Sequence, residues 1–405
     1  MIGSLYSGIS GLKANTSAMA VIGDNIANVA TTGFKSSKVS FANIFSSSIG
    51  QSGLEIGRGV SMSGVSPLWD SGSLENSTSV TDLSVNGKGM FVVQDSTDGA
   101  QYFTRAGKFE FDRNGNLVNS DGLNVQGYPI DTTGNSGSMT DISLPNGTNA
   151  PRETDEIIFE MNLDSGASNA DAYATTITVF DSLGSQVELD FNFTYDAANT
   201  EWDWALTPSS GACATTGSLV FDANGNLDAA NCTPPSANPA LVITGLAGND
   251  LNIDWTYLNN ANTTDGSIIG YSARSTKTSQ SQNGYASGSL QGVSVDDNGV
   301  FTGLYSNGTM TPFAQIALGD FASYSGLAKK GSNLFGASLE SGQAMIGQPN
   351  SASLGAVAPS TLEMSNVDLA TEFVQLITTQ RAFQANSKVI TTSDEILAEL
   401  INIKR

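Results

Sequence analysis

Hydrophobic residues follow a helical rhythm at both ends of the chain and a two-residue rhythm between them. Near the start, Leu5, Ile9, Leu12, Met19, Ile22 and Ile26 recur at spacings of three, four or seven, the period of an amphipathic helix, with Gly33 as the expected stop. At the other end, Leu369, Phe373, Leu376, Phe383, Ile390, Leu397 and Ile401 follow a near-heptad, with Gln380, Ser387 and Asp394 at intervening positions. Ser365 and Asp368 are spaced as in a capping box. Asp368 and Glu372 at the start, and Lys404 and Arg405 at the end, complement a helix macrodipole. About 38 residues at 1.5 Å each predict a C-terminal helix roughly 55 Å long.

The centre reads as all-β. Met90–Val93, Gln101–Phe111, Thr175–Phe180, Val187–Tyr195, Trp202–Leu206, Leu251–Tyr257 and Val300–Tyr305 are strand-like. Ten Asn-Gly or Asp-Gly pairs, from Asn86-Gly87 to Asn307-Gly308, supply hairpin turns. A weak repeat joins FEFDRNGNLV at Phe109, LVFDANGNLD at Leu219 and VSVDDNGVFT at Val293, each a strand, an Asp-x-Asn-Gly turn and a strand. A calcium loop of the EF-hand kind needs its glycine at the sixth position, whereas Gly115 is at the fourth, counting Asp112 as the first. Plain turns are therefore the better reading.

A lone N-terminal helix of this kind should fray, because Gly8 and Gly11 each cost about 1 kcal/mol against alanine. The two ends either close an ordinary monomer as a pair or fold against neighbouring copies. Amides such as Asn25, Asn28 and Gln380 favour neighbours, since they offer hydrogen bonds on several sides of a narrow apolar seam.

Charge sharpens the division. The chain carries 39 acidic and 17 basic residues, a net −22. That balance argues against nucleic-acid and anionic-membrane partners. Residues 146–284 hold 17 acidic and 3 basic side chains, a net −14, so this middle segment is expected to face solvent. The expected domains are a terminal helical one (1–33 with 362–405), an extended Ser- and Gly-rich connector (34–72 with 347–361), an inner β domain (73–145 with 285–346) and the outer acidic β domain (146–284).

Candidate chemistry is sparse. There is no histidine, which removes the commonest general base and zinc ligand. No metal, cofactor or catalytic residue is expected. Ser10 and Lys13 match a Ser-x-x-Lys pattern without any second catalytic motif. The acidic groups Asp296-Asp297 and Glu153/Asp155/Glu156 lie in polar stretches that define no glycosidase pair. Trp202 and Trp204 share one strand face, either as core or as a sugar platform, with core the better reading. Cys213 and Cys232 form a candidate disulfide, worth about 3 kcal/mol by chain entropy, or remain two inert thiols. No stretch approaches the ~20 apolar residues of a membrane span. The N-terminus has no basic residue before Lys13 and no continuous apolar run, so no cleaved secretory signal is expected.

IGDNIANVATTGFK (from Ile22) and SNVDLATEFVQLITTQRAFQANSKVITTSDEIL (from Ser365) resemble the two terminal signatures of the bacterial flagellar rod and hook protein family. TDLSVNGKGMFVVQD (Thr81), YFTRAGKFEFDRNGNLVNSDGLNVQGY (Tyr102), GSNLF (Gly331) and Ser341-Gly342 resemble its first β domain, whereas 146–284 matches no quoted motif. Asp24 stands where the family usually has Asn, and Phe383 where Tyr is common. The large middle insertion resembles the hook members rather than the shorter distal rod members. The resemblance implies a mostly β fold, with two stacked sandwich- or barrel-like β domains inserted between terminal helices that pair in a coiled-coil-like inner core. It implies a structural subunit of a tubular homopolymer, a curved universal joint transmitting torque. Its partners would be the rod proximally, hook–filament junction proteins distally, and a hook cap and the type III export apparatus during assembly. It would lie outside the cell at the basal body and hook. The rivals are a distal rod-type axial protein and, from another class, an acidic β-sandwich adhesin binding carbohydrate through its aromatics.

Overall fold

The computed structural model describes residues 2–44, 59–131, 136–145, 147–213, 215–228, 231–234, 240–256, 268–351 and 353–403. The chain divides into two compact units, Met1–Leu144 with Val293–Gly303 and Thr311–Arg405, and Pro145–Gly292 with Leu304–Met310. The second unit thus takes in residues 285–292 and 304–310, which the sequence had assigned to the inner β domain. The cause is local: Thr148–Asn149 pairs with Gly288–Ser289, and Asn307 Nδ2 donates to Ala286 O at 2.7 Å.

In the first unit, helix α1 spans Ile2–Ala27 and helix α2 spans Leu369–Ile403. α1 ends six residues before Gly33. Asn28 turns the chain instead, donating from Nδ2 to Asp24 O at 2.9 Å and Asp24 Oδ1 at 3.0 Å. Gly33 has φ +68°, and a Cβ there would lie 2.5 Å from Ala106 N. At α2 the capping residue is Asp368 itself, accepting from Ala370 N at 2.9 Å and Thr371 Oγ1 at 2.7 Å. Those bonds, led by Thr371, lower its pKa. Ser365 is therefore too early to cap. Lys404 and Arg405 lie outside the described residues.

The expected connector is not simply extended. Ser37–Asn43 pairs antiparallel with Val60–Pro67, matching Phe41 with Met62. The stretch 45–58, with Ser46–Ser48 and most of the following Gly-rich run, lies outside the described residues. On the return path Ala356–Pro359 pairs with Leu83–Asn86, and Thr361–Glu363 with Leu74–Asn76. Pairing satisfies backbone groups that an extended connector would leave open.

The unit's main sheet runs through Met310–Ile316, Asn124–Pro129, Met90–Gln94, Gln101–Thr104, Leu334–Gly336 and Ala328–Gly331. The expected strand Gln101–Phe111 breaks after Thr104, where Arg105 turns inward and Gly107 O accepts from Leu83 N at 2.9 Å. The core is built on Leu83, Phe91, Phe109, Leu117 and Phe301.

The second unit packs a four-stranded sheet and a five-stranded sheet around one core. Gln186–Asp196 alternates strictly, pointing Val187, Leu189, Phe191 and Phe193 inward. Phe159, Phe191, Trp204 and Trp255 join the sheets, with centroids 4.9 Å apart for Phe191–Trp255 and 5.1 Å for Trp204–Trp255. The architecture is not all hairpins, since Glu156–Ile158 runs parallel to Asp254–Thr256. Tyr257 lies outside the described residues. The three repeated turns share one geometry: Asp112, Asp222 and Asp296 each accept two backbone N–H groups on Oδ1.

Candidate assembly interface

α1 and α2 run antiparallel. Ser4 Oγ meets Ser393 Oγ at 3.4 Å, while at the other end Asn25 Nδ2 donates to Glu372 Oε1 at 3.0 Å. The buried stripe of α1 is Gly8, Gly11, Ala14, Ala18, Ile22 and Asn25, a helical face of mostly small residues. A Cβ on Gly8 would lie 2.9 Å from Ile390 Cγ1, and one on Gly11 2.8 Å from the Asn386 amide. The glycines that look costly for an isolated helix permit the close approach of its partner.

Of the apolar positions expected on α1, Ile22 is buried, Leu5, Leu12, Met19 and Ile26 are half-buried, and Ile9 is exposed. Asn25 is buried and Asn28 half-buried. On α2, Leu376, Phe383, Ile390 and Leu397 are half-buried on one heptad line, which Glu372, Thr379, Asn386 and Ser393 complete. Leu369 begins that line but is exposed, whereas Phe373 and Gln380 lie off it and are exposed, as are Ser387 and Asp394. Ile401 lies in the last turn of α2, and its side chain is outside the described residues. Phe373, Val374 and Ile377 are 50%, 61% and 50% exposed, and Tyr6 and Ile9 on α1 are also open. The helix pair therefore retains apolar surface that one chain leaves uncovered.

Where the helices enter the β structure, two polar nodes fix the chain. In the first, Asn25 donates to Ser37 O and accepts from Ser37 N, both at 2.9 Å. Asn366 holds the adjoining strand, accepting from Ser36 N at 2.7 Å and donating to Leu68 O at 3.0 Å. In the second, the fully buried carboxylate of Glu363 pairs with Lys35 at 2.6 Å and Arg105 at 3.2 Å. Gly72 N donates to the same carboxylate at 3.0 Å. Lys35 also donates to Asp70 O, and Arg105 to Val85 O and Gly87 O. Burial lowers the Lys35 pKa despite the opposing pull of Glu363. Lys35 and Arg105 fall within the quoted motifs, but no pattern paired them with Glu363, 328 and 258 positions later.

The other candidates take structural places. Ser10 Oγ donates to Ser7 O at 2.9 Å and accepts from Val60 N at 3.2 Å. Arg152 and Asp155 form an exposed ion pair at 3.5 Å. Trp202 and Trp204 are buried in the second unit's core and offer no sugar platform. Cys213 and Cys232, the candidate disulfide, stand as two separate thiols in this structure. Each sulfur is engaged locally, Cys213 Sγ lying 3.0 Å from Thr215 Oγ1 and Cys232 Sγ 3.3 Å from Asp228 O. Burial pushes the Cys232 thiol up.

Comparison with known proteins follows the same division of the chain. Residues 5–35 match the flagella basal body rod protein family, and 358–403 the C-terminal family of flagellar basal body rod FlgEFG proteins. Residues 84–160 match the flagellar hook protein FlgE/F/G D1 domain, and 149–285 the flagellar basal body protein FlaE D2 domain. These matches define an axial protein of the flagellar rod and hook class. The chain is 33% identical to the flagellar hook protein FlgE of Borreliella burgdorferi, covering 100% of both chains. It is 34% identical to that of Escherichia coli, covering 98% of each. The crystal structure of Helicobacter pylori flagellar hook protein FlgE2 shares the fold, with a TM-score of 0.54 at 15% identity over 72% of this chain and 100% of that one. The chain belongs to the flagellar hook protein family.

Proposed function

We propose that this chain is the structural, non-catalytic subunit of a bacterial flagellar hook. It polymerises into a curved tube that acts as a universal joint and passes motor torque to the filament. The observation that carries the reading is the terminal helix pair. Small residues bring α1 and α2 together, yet Phe373, Val374 and Ile377 remain open to a neighbour. The full-length likeness to hook proteins favours this over a rod-type subunit. The buried tryptophans remove the platform on which an adhesin reading rested. Export through the flagellar type III apparatus without a cleaved signal, and contacts with the rod, hook cap and hook–filament junction proteins, belong to the same proposal.

The test is a double substitution, Val374→Asp with Ile377→Asp, in the full-length chain. Both side chains are exposed, so the thermal unfolding of the soluble chain should not change. Hooks counted by electron microscopy, and motility, should be lost. Normal hooks from this variant would defeat the proposal.

A further inference from the structure

Leu339 is the most exposed large hydrophobic residue among those described, at 104%, against 71% for the next, Met310. It stands on a turn that is unusually well fixed. Ser341 is wholly buried beneath it. Ser338 N donates to Ser341 Oγ at 2.8 Å, and Ser341 Oγ lies 3.0 Å from both Ser338 O and Gly342 O. Ser338 Oγ donates to Gly326 O at 2.6 Å, which ties the turn to the body of the unit. The fit there is tight, since a Cβ on Gly326 would lie 2.4 Å from the Glu340 carbonyl carbon.

A turn with so many internal bonds holds its apex in one place. The leucine at that apex gains nothing from its own chain. Presenting an apolar side chain on a fixed backbone lowers the ordering cost of binding. We propose that Leu339 is an inter-subunit contact, a knob that inserts into a second copy of this chain within the polymer. The inference rests on the assembly reading above.

Two arguments select a second copy as the occupant. One leucine covers far less than the ~1,200 Å² of a stable two-protein interface, so its partner must already be held alongside by other contacts, as in a polymer. Copies that each carry a net charge of −22 repel one another, so contacts between them favour uncharged groups over ionic ones.

The experiment uses the full-length chain. The photoreactive substitution Leu339→p-benzoylphenylalanine should give adducts between two copies in isolated hooks and none in the soluble chain. Leu339→Asp should leave the unfolding midpoint of the soluble chain unchanged. It should raise the critical concentration for polymerisation about tenfold or more, the worth of burying one leucine. An adduct to a different protein, or no adduct together with an unchanged critical concentration, would overturn the knob while leaving assembly intact. Failure of the unsubstituted chain to polymerise would overturn the assembly reading and the knob with it.

Discussion

At the scale of single residues, the Glu363 carboxylate is the most consequential group in the first unit. Two cations from distant parts of the chain converge on it, and all three side chains are nearly solvent-free. Replacing it by alanine leaves Lys35 and Arg105 buried without their counter-charge. The expected cost is about 3–5 kcal/mol, read as a lower urea midpoint for the first unit. An unchanged midpoint would show that the cluster contributes no net stability. A second residue-scale prediction concerns pH. Tyr324 Oη donates to Asp320 Oδ1 at 2.5 Å, and Asp320 also accepts from Ser353 and Phe321 N. Burial, then the Asp320 contact, pushes the Tyr324 pKa up to about 12. Burial alone would raise the Asp320 pKa, but its hydrogen bonds overcome this and leave it lowered. The raised tyrosine contributes stability fully present below its ordinary pKa of about 10 and lost as pH rises towards about 12. The lowered aspartate contributes stability present above its ordinary value and lost as pH falls through the folded-state value. Tyr324→Phe should flatten the alkaline limb of a stability–pH curve followed by circular dichroism. A limb as steep as before would place that titration elsewhere.

At the scale of elements, the helices show how far a sequence pattern reaches. Their existence and approximate extent were legible, because long periodic stretches leave few alternatives. Their contact faces were only partly so. Periodicity identifies the apolar side of α2 through Leu376, Phe383, Ile390 and Leu397. It could not show that α1 would meet that side with Gly8 and Gly11 instead of Ile9. Glycine and alanine carry little hydrophobic signal, and their value here is the absence of a side chain. Gly11→Val tests this directly. The added atoms must displace the Asn386 amide, 2.8 Å from an ideal Cβ. The helices should separate and helical circular dichroism should fall, while the β cores unfold at their usual temperature. Retained helicity with normal hooks would mean that the close approach is dispensable. The pairing inside the expected connector is hidden for another reason: Ser37–Asn43 and Val60–Pro67 alternate over only a few residues, Val39 with Phe41 and Val60 with Met62, within a longer stretch dominated by Ser and Gly.

At the scale of the whole molecule, the division of labour is written in charge more plainly than in hydrophobicity. The strand order of the second unit was not legible, because parallel pairing such as Glu156–Ile158 with Asp254–Thr256 depends on long-range closure. The Glu363 node was hidden by the same distance in sequence. The acidic excess needed no structure to be seen: residues 146–284 contribute −14 of the −22. Packed side by side in the wall of a tube, such segments would repel one another at every repeat. Facing solvent, their charges are screened beyond a Debye length of about 8 Å at physiological ionic strength. The acidic segment is therefore expected on the outside of the polymer. Immunogold labelling of intact flagella with antibody to 146–284 should decorate the short curved segment between cell body and filament along its whole length. Labelling only after the segment is broken open would place the acidic segment inside. Gold on the cell surface with the curved segment bare would instead favour a surface adhesin.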